Sequence, residues 1–289
     1  MKNLLLLTFL FISVITFGQS TSNKLNFHKG QVLEVTTQVN RNSTQEFMGQ
    51  SMESSVSSSF TNIYTIADAS TNGANINAGV KRIKFEMNMM GQNQSFDSDN
   101  KDDMKDDIGK MISNTLNEKY TMQIDPTGKV VMVKQDSSKQ RSRREEQAAG
   151  MMGMVLGKVG SINPPKTGDA TIFKILPDQA IKKGETWNEE SKDENGTRKA
   201  NYTLTEITDK EILIDFKEEG TLSTKQEMMG QEASIDVNSK SYGKIVLDKA
   251  TGILKQKTFV TNSEEKIKAA GQEIPSHSRM TTTITVKSV

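Results

Sequence analysis

The sequence predicts a mainly β protein of the α+β type, in which antiparallel sheets from two duplicated halves form a curved sheet or half-barrel with two helices packed on a face. Three observations predict this. Polar and apolar residues alternate over long stretches rich in Ser and Thr, glycine-containing turns separate these stretches, and short motifs recur in the same order in both halves. Period-two alternation places apolar side chains on one face of a strand.

The first 18 residues have the features of a secretory signal peptide. Lys2 supplies a positive start, residues 4–15 are mostly apolar, and Thr16 and Gly18 place small residues before a cleavage site at Gln19. The apolar stretch is too short to span a bilayer comfortably, so we expect cleavage rather than a membrane anchor. The sequence therefore predicts an exported protein, periplasmic or extracellular, with no transmembrane span after signal removal.

Composition excludes several classes of function. The chain has no Cys, which excludes a lipid anchor on an N-terminal Cys, a disulfide scaffold and a thiol nucleophile. Two His residues cannot build a three-His metal site. Residues 1–18 hold one of the 37 basic residues and none of the 36 acidic ones, so the remaining chain is neutral and offers no general attraction for nucleic acid. We expect no cofactor and no metal.

Four landmarks recur in the same order in the two halves. The sequence YTIADA at 64–69 corresponds to YTLTEI at 202–207, and MMGQ at 89–92 recurs at 228–231. Lys29 and Gly30 match Lys183 and Gly184, and the turns at 125–128 and 248–252 both run from Asp to Gly. We predict a first β repeat at 24–136, a helical connector at 137–169 and a second β repeat at 170–289.

Two segments depart from the strand pattern. In an insertion at 100–118, apolar residues recur at spacings of three and four, which predicts an amphipathic helix with Asp99 as its cap. In the connector, a helical pattern is diluted by Gly150, Gly153 and Gly157 and ends at two prolines. Glycines before Gln at 49, 91, 230 and 271 indicate tight turns with positive φ.

Methionine is the most unusual component, with 16 residues in the chain. Its flexible, polarisable side chain suits a surface that adapts to varied apolar partners. Clusters of Met fall at the predicted hairpin tips and in the connector. The candidate ligand-binding residues are Met89, Met90, Met151, Met152, Met154, Met228 and Met229. The alternative is that these residues fill gaps in an ordinary core.

The sequence contains no complete catalytic motif. An acidic cluster at 97–107 resembles a calcium loop, but Lys101 and Ile108 occupy ligand positions, so we expect a capped, solvated helix face. His28 and His277 are expected on the surface. Trp187 is expected to be a buried core residue whose indole is hydrogen-bonded. The sequence does not exclude a pair of catalytic carboxylates, although the small number of aromatic residues argues against a sugar-cleaving enzyme.

Several of these segments together resemble a known group. The signal ending in Gln, the opening at 27–30, the Met-Gly-Gln hairpins, the turn at 125–128 and the segment 177–187 resemble uncharacterised exported proteins of Bacteroidota, classed as a domain of unknown function. The architecture is also similar to periplasmic lipoprotein carriers and lipid-binding half-barrels. Neither resemblance supplies a catalytic residue.

These observations predict an exported, non-catalytic binding module for an apolar ligand, a lipid-like group or a partner protein of the envelope. One alternative is an envelope structural or adhesion scaffold without a ligand. A second alternative is a hydrolase that uses two carboxylates facing each other beside aromatic walls.

Overall fold

The computed structural model describes residues 21–47, 49–89, 91–135, 164–228, 231–269 and 272–289. The first half contains β1 (Val32–Phe47), β2 (Gln50–Ser70), β3 (Gly73–Met89), β4 (Gln92–Asp97), a 3-10 turn (Asp103–Lys105), α1 (Asp107–Asn117), β5 (Lys119–Ile124) and β6 (Val130–Gln135). The second half contains β7 (Thr186–Lys192), β8 (Gly196–Ile207), β9 (Glu211–Met228), β10 (Gln231–Asp248), β11 (Leu254–Ala269) and β12 (Gln272–Ser288).

All strands in the described residues belong to one antiparallel sheet of twelve strands, which is not closed within those residues. Its order is β6-β5-β3-β2-β1-β12-β11-β10-β9-β8-β7, with β4 beside β3. Strands β1 and β12 pair from Leu33 opposite Ser288 to Gln45 opposite Ser276, and this pairing joins the two halves. The predicted mainly β, antiparallel fold is confirmed. The predicted connector at 137–169 lies mostly outside the described residues.

The two faces of the sheet differ in exposure. Between residues 261 and 268 of β11, every even-numbered residue is exposed and every odd-numbered residue is buried or half-buried. Alternation of this kind arises because successive side chains of a strand point to opposite faces. We refer to the side that carries the core as the inner face and to the opposite side as the outer face.

The main core lies on the inner face and includes side chains from both edge strands of the sheet. Val130 of β6 and Trp187 of β7 belong to the same apolar cluster, so the sheet curves far enough for its two edge strands to share one core. Phe173, from the segment before β7, packs its ring edge-on against Phe27 and Tyr64, with ring centroids 5.4 and 5.5 Å apart. A second cluster packs Ile112 of α1 against inner-face side chains of β2, β3 and β4.

Both halves begin with the same backbone arrangement. Gly30 and Gly184 have φ angles of 82° and 87°, which a residue with a Cβ rarely adopts. The amide of Gly30 donates to the carbonyl of Ile66 at 2.8 Å, and that of Gly184 donates to the carbonyl of Leu204 at 2.7 Å. These are the Lys-Gly and Tyr-Thr landmarks of the sequence. The boundaries of the two repeats stay predictions.

The insertion changes the pairing of β3. β4 pairs with the segment 84–89 of β3 and β5 pairs with the segment 74–79, whereas β10 pairs along the whole of β9. α1 lies between β4 and β5 and inside the range 100–118. Asp99 does not cap it, since the residue before the helix is Asp106 and the chain first makes a 3-10 turn. No helix in the described ranges is long and apolar enough to cross a bilayer.

Candidate functional site on the inner face

Strand pairing aligns inner-face side chains in rows that run across the sheet. One row brings together Trp187, Tyr202, Phe216 and Phe259 from β7, β8, β9 and β11. Neighbouring ring centroids are 5.0, 5.9 and 5.7 Å apart, distances typical of favourable aromatic pairs. We call these four side chains the aromatic row.

Gly243 fills the position of β10 within the aromatic row. It lies opposite Phe216 on one side and Phe259 on the other. A Cβ on Gly243 would lie 2.5 Å from Phe259 Cβ and 2.2 Å from the Thr258 carbonyl oxygen. The missing side chain therefore lets the two phenylalanine rings meet across the intervening strand.

Trp187 is a core residue, as predicted, but its hydrogen bonding differs from the expectation. Its side chain is 7% exposed and stacks on Tyr202 with the planes 12° apart. The indole Nε1 is buried and has no hydrogen-bond partner. The expectation of a hydrogen-bonded indole was wrong, because the parallel stack holds the ring where no acceptor meets its N–H.

An ion cluster adjoins the aromatic row on β7, β8 and β9. The Arg198 guanidinium lies 2.8 Å from a Glu218 oxygen and 3.8 Å from a Glu189 oxygen. The Tyr202 hydroxyl donates to Glu189 at 3.3 Å. Burial raises the pKa of Tyr202 to about 12, so its hydroxyl stays a neutral donor. The single Arg198 guanidinium therefore interacts with both the Glu189 and the Glu218 carboxylates at the edge of the core.

Lys257 of β11 is also on the inner face, at a position where apolar residues surround it. The residues opposite it on the two neighbouring strands are Ile245 and Ile284, which are both buried. Its Nζ lies 4.5 Å from the ring centroid of Phe216 and 5.4 Å from that of Phe259. Loss of hydration lowers the pKa of Lys257, although Glu218 and Glu189 partly oppose the shift.

Five serines form another row of the inner face, which we call the serine row. Successive strands from β10 through β11, β12 and β1 to β2 supply Ser239, Ser263, Ser278, Ser43 and Ser54. The hydroxyls of Ser43 and Ser54 are 2.9 Å apart and share a hydrogen bond. The row therefore presents only small, polar side chains across five neighbouring strands.

Beyond the serine row the inner face carries aliphatic side chains together with Glu265, which is paired with Arg41 at 2.6 Å. The half-buried side chains there, which we call the rim, are Leu222, Ile235, Val237, Ile267 and Ile274. Met52, Met87 and Met280 are half-buried at inner-face positions of β2, β3 and β12. The inner face therefore carries a polar band between the aromatic row and a flexible apolar border.

The structure places only part of the predicted methionine set. Met89 ends β3, lies opposite Ser54 and is 50% exposed, and Met228 ends β9. Met90, Met151, Met152, Met154 and Met229 lie outside the described residues, so the predicted set stays a prediction. Sequence reasoning missed Met87 and Met280. Met87 could have been found, because it follows the buried Phe85 by two residues on the same strand.

The acidic segment before α1 is tied to the sheet by an arginine. Arg82 Nε donates to Asp97 at 3.0 Å and approaches Asp99 at 3.0 Å. The hydrogen bond from Arg82 holds the pKa of Asp97 below its usual value, although some desolvation opposes this. Within the described ranges, no three His, Asp or Glu side chains are arranged to hold a metal ion. His28 and His277 are exposed.

The fold and its inner face define a protein built from one open, curved antiparallel sheet with a mixed polar and apolar interior surface. Residues 71–254 match the family of unknown function DUF6263, and the chain belongs to that family. This agrees with the resemblance to a domain of unknown function. No curated protein matches the chain.

Three solved structures that match the chain are remote in sequence, and their TM-scores are below 0.5. Lipovitellin, from a structure titled for its lipid-protein interactions, has a TM-score of 0.47 at 9% identity, over 91% of this chain and 26% of its own. The COG4313 outer membrane channel from Pseudomonas putida F1 has a TM-score of 0.26 at 5% identity, and the match covers 91% of this chain and 98% of the channel. The translocator domain of the autotransporter NalP from Neisseria meningitidis has a TM-score of 0.19 at 6% sequence identity, and the match covers 90% of each chain.

Proposed function

We propose that this chain is a non-catalytic binding protein that takes up an apolar or amphiphilic ligand on the inner face of its sheet. The observation that carries the proposal is the rim, where aliphatic side chains stay half-buried on one face while the opposite face carries exposed polar side chains along β9 and β11. An apolar surface of this kind gains free energy when a ligand removes it from water, at about 25 cal/mol per Å².

The side chains around the polar band suit a ligand of variable shape. Met52, Met87 and Met280 can change rotamer to follow different ligand surfaces. Polar groups at fixed positions, such as Arg198 and the serine row, would orient the polar part of an amphiphile. Apolar walls with a few fixed polar groups are typical of small-molecule sites.

We propose export of this protein on the strength of residues 1–18, with binding taking place in the periplasm or outside the cell. The partner class proposed is a small apolar or amphiphilic molecule or an envelope protein that presents such a group. Cleavage of residues 1–18 is directly testable by N-terminal sequencing of the protein from its native cells, with Gln19 as the expected first residue.

The ion cluster favours a binding role over hydrolysis. Glu189 and Glu218 flank aromatic rings, as the two-carboxylate hypothesis requires, but both lie against the same Arg198 guanidinium. A general acid needs an environment that favours its protonated form, and an adjacent cation favours the ionised form. We therefore propose that the two glutamates hold Arg198 in place.

The test is a titration with dodecanol, an uncharged alkyl ligand, followed by the heat of binding in isothermal titration calorimetry. Ile267→Gln places an amide on the rim, and Lys266→Gln makes the same substitution at the neighbouring, exposed position of the outer face. We expect Ile267→Gln to weaken binding at least fivefold and Lys266→Gln to leave it unchanged. Unfolding midpoints of both variants serve as the folding control.

Two results would contradict the proposal. Failure of dodecanol to bind the native chain would contradict the proposal that the inner face binds an apolar ligand. Equal weakening by both substitutions would place the ligand away from the inner face.

A further inference from the structure

The outer face of the sheet carries a cleft that the proposed function does not use. Its volume is about 910 Å³, and residues of β8, β9, β10, β11, β12 and β1 line it. One row of exposed side chains crosses all six strands along this cleft, and the strand pairings place each member directly opposite the next. We call it the outer row; its members are Lys199, Glu219, Lys240, Asn262, Arg279 and Asn42.

A second cleft, of about 650 Å³, continues the first one across β1, β2, β3 and β4. Asn42 lines both clefts. The outer row extends through the second cleft as Ser55, Asn88 and Asn93, which lie opposite one another on β2, β3 and β4. The whole row therefore crosses nine strands, which corresponds to about 38 Å at about 4.8 Å per strand. A groove of this length suits an extended polymer.

The middle of the outer row has hydrogen-bonding groups that other side chains do not use. Toward the two ends the row pairs internally, since Lys240 lies 3.7 Å from Glu219 and Asn88 donates to Asn93 at 2.5 Å. Between these pairs are three exposed side chains, which we call the central triplet: Asn262, Arg279 and Asn42. Across the described ranges, no side-chain hydrogen bond or ion pair involves any of the three. Their donors and acceptors are available to a ligand.

The charges along the two clefts balance. With His277 counted as neutral, the cleft residues include three cations and three carboxylates: Lys199, Lys240, Arg279, Glu86, Glu219 and Glu264. A balanced surface offers no general attraction for nucleic acid or another polyanion. An Asn amide both donates and accepts, and an Arg guanidinium supplies five donors. This combination is complementary to an uncharged ligand rich in hydroxyl groups, which also donate and accept.

An exposed aromatic ring lies beside the outer row. Tyr242 of β10 is on the outer face, two residues from Lys240, and is 48% exposed. It is the one aromatic residue among the large apolar side chains that the described part of the chain exposes. A Tyr ring offers an apolar face and a polar hydroxyl, which suits a partly wet contact surface. The C–H face of a sugar ring can pack on such a side chain while the sugar hydroxyls bind polar neighbours.

We propose that the outer face binds an uncharged glycan. Its hydroxyls form hydrogen bonds with the central triplet, and one of its sugar rings packs on Tyr242. The length of the outer row favours a chain of several sugars over a single sugar. This site is on the opposite face from the proposed apolar ligand, so each ligand can bind without the other.

Affinity electrophoresis in gels that contain soluble starch, galactomannan or dextran tests the proposal with three uncharged polysaccharides. We expect at least one of them to retard the native chain, and calorimetry with its hexasaccharide then measures the affinity. Arg279→Ala and Tyr242→Ala should each weaken binding about fivefold or more. Lys287→Ala removes an exposed basic side chain from the same face of β12, away from both clefts, and should leave the affinity unchanged.

Three results would overturn the glycan site. They are no retardation in any of the three gels, equal weakening by Arg279→Ala and Lys287→Ala, and retardation only by polygalacturonate, a polyanion. Because the substituted side chains are exposed, we expect the variants to fold, and their unfolding midpoints verify this. Arg279→Ala should also keep the affinity for dodecanol within twofold of the native value. The glycan site and the inner-face site are thus tested separately.

Discussion

Gly243 lies directly opposite Phe259, and a Cβ added to Gly243 would come within 2.5 Å of Phe259 Cβ. The absence of that atom lets Phe216 and Phe259 approach to a centroid distance of 5.7 Å across β10. Because the ammonium of Lys257 lies over the same rings, this one glycine supports both the packing of the inner face and the contact of Lys257 with Phe216.

Gly243→Ala is therefore expected to destabilise the protein. Its methyl group would meet the backbone of Thr258 as well as Phe259, and overpacking of this kind costs about 1–3 kcal/mol. Urea unfolding measures the change. Gly220→Ala is the matched control, since its nearest contact is Ser239 Oγ at 3.2 Å. Equal losses in the two variants would contradict the account of the aromatic row.

Lys257→Met is expected to leave the stability of the protein unchanged or to raise it. Replacing a partly buried, unpaired charge by an apolar side chain of similar length is commonly neutral or stabilising. We expect the free energy of unfolding to stay within about 0.5 kcal/mol of the native value or to rise, because cation–π contacts are lost as the desolvation cost disappears. Chemical denaturation at neutral pH measures it.

Lys174→Met, unlike Lys257→Met, is expected to lower the free energy of unfolding. Lys174 is 7% exposed along its side chain, and its Nζ donates to the carbonyl of Leu176 at 2.8 Å and to Asp178 at 2.6 Å. Removing a satisfied charge leaves those acceptors without a donor, which costs about 2 kcal/mol. If both lysine variants lost the same stability, the distinction between the hydrogen-bonded Lys174 and Lys257, which has no salt bridge in the described residues, would fail.

Leu25 is expected to contribute to stability by joining the two halves. Its amide donates to the carbonyl of Pro126 at 2.7 Å, and its side chain lies beside Gly128 and Gly252, one from each half. Leu25→Ala should cost about 1–3 kcal/mol in the free energy of unfolding, since this side chain packs against the core and is half-buried. The neighbouring exposed Lys24→Ala should cost less than about 0.5 kcal/mol.

Asp178 is expected to make stability depend on acid pH. Hydrogen bonds from Lys174 and Lys129 lower its pKa to about 2 from the ordinary 3.8. A carboxyl whose pKa is lower in the folded state stabilises the fold above the unfolded pKa and loses this effect as pH falls through the folded value. The advantage of the native chain over Asp178→Asn should therefore be constant above about pH 5 and vanish near pH 2.

Thermal unfolding across that pH range tests the prediction. Because Asp178 is largely exposed, solvent screens the ion pairs and the effect should be modest. Asp209→Asn, at an exposed turn position, is the control and should show no such difference. A constant gap between the native chain and Asp178→Asn down to pH 2 would contradict the assignment.

Local sequence patterns predicted the elements of the fold. Alternation identified the strands, and Gly49 and Gly91 adopt the positive φ angles, 77° and 80°, that their Gly-Gln context indicated. These features depend on residues close in sequence, so a single chain suffices to predict them. The pairing of β1 with β12 depends on residues more than 200 positions apart and could not be derived from local patterns.

The candidate site was missed for a specific physical reason. Leu254 is buried opposite Leu247, and simple alternation from Leu254 would direct Lys257 to the outer face. A register shift between Val246 and Leu247 reverses the alternation, so Lys257 lies on the inner face opposite Ile245. Its contact with Phe216, on a strand two positions away, has no signature in the sequence.

The most direct test of the central claim is native mass spectrometry of the protein purified without detergent from cells that express it naturally. The account predicts a mass above that of the chain 19–289 by one bound molecule per chain, and organic extraction should release an apolar or amphiphilic molecule. Repeated preparations that carry only the mass of the polypeptide would contradict the claim that the inner face binds such a ligand.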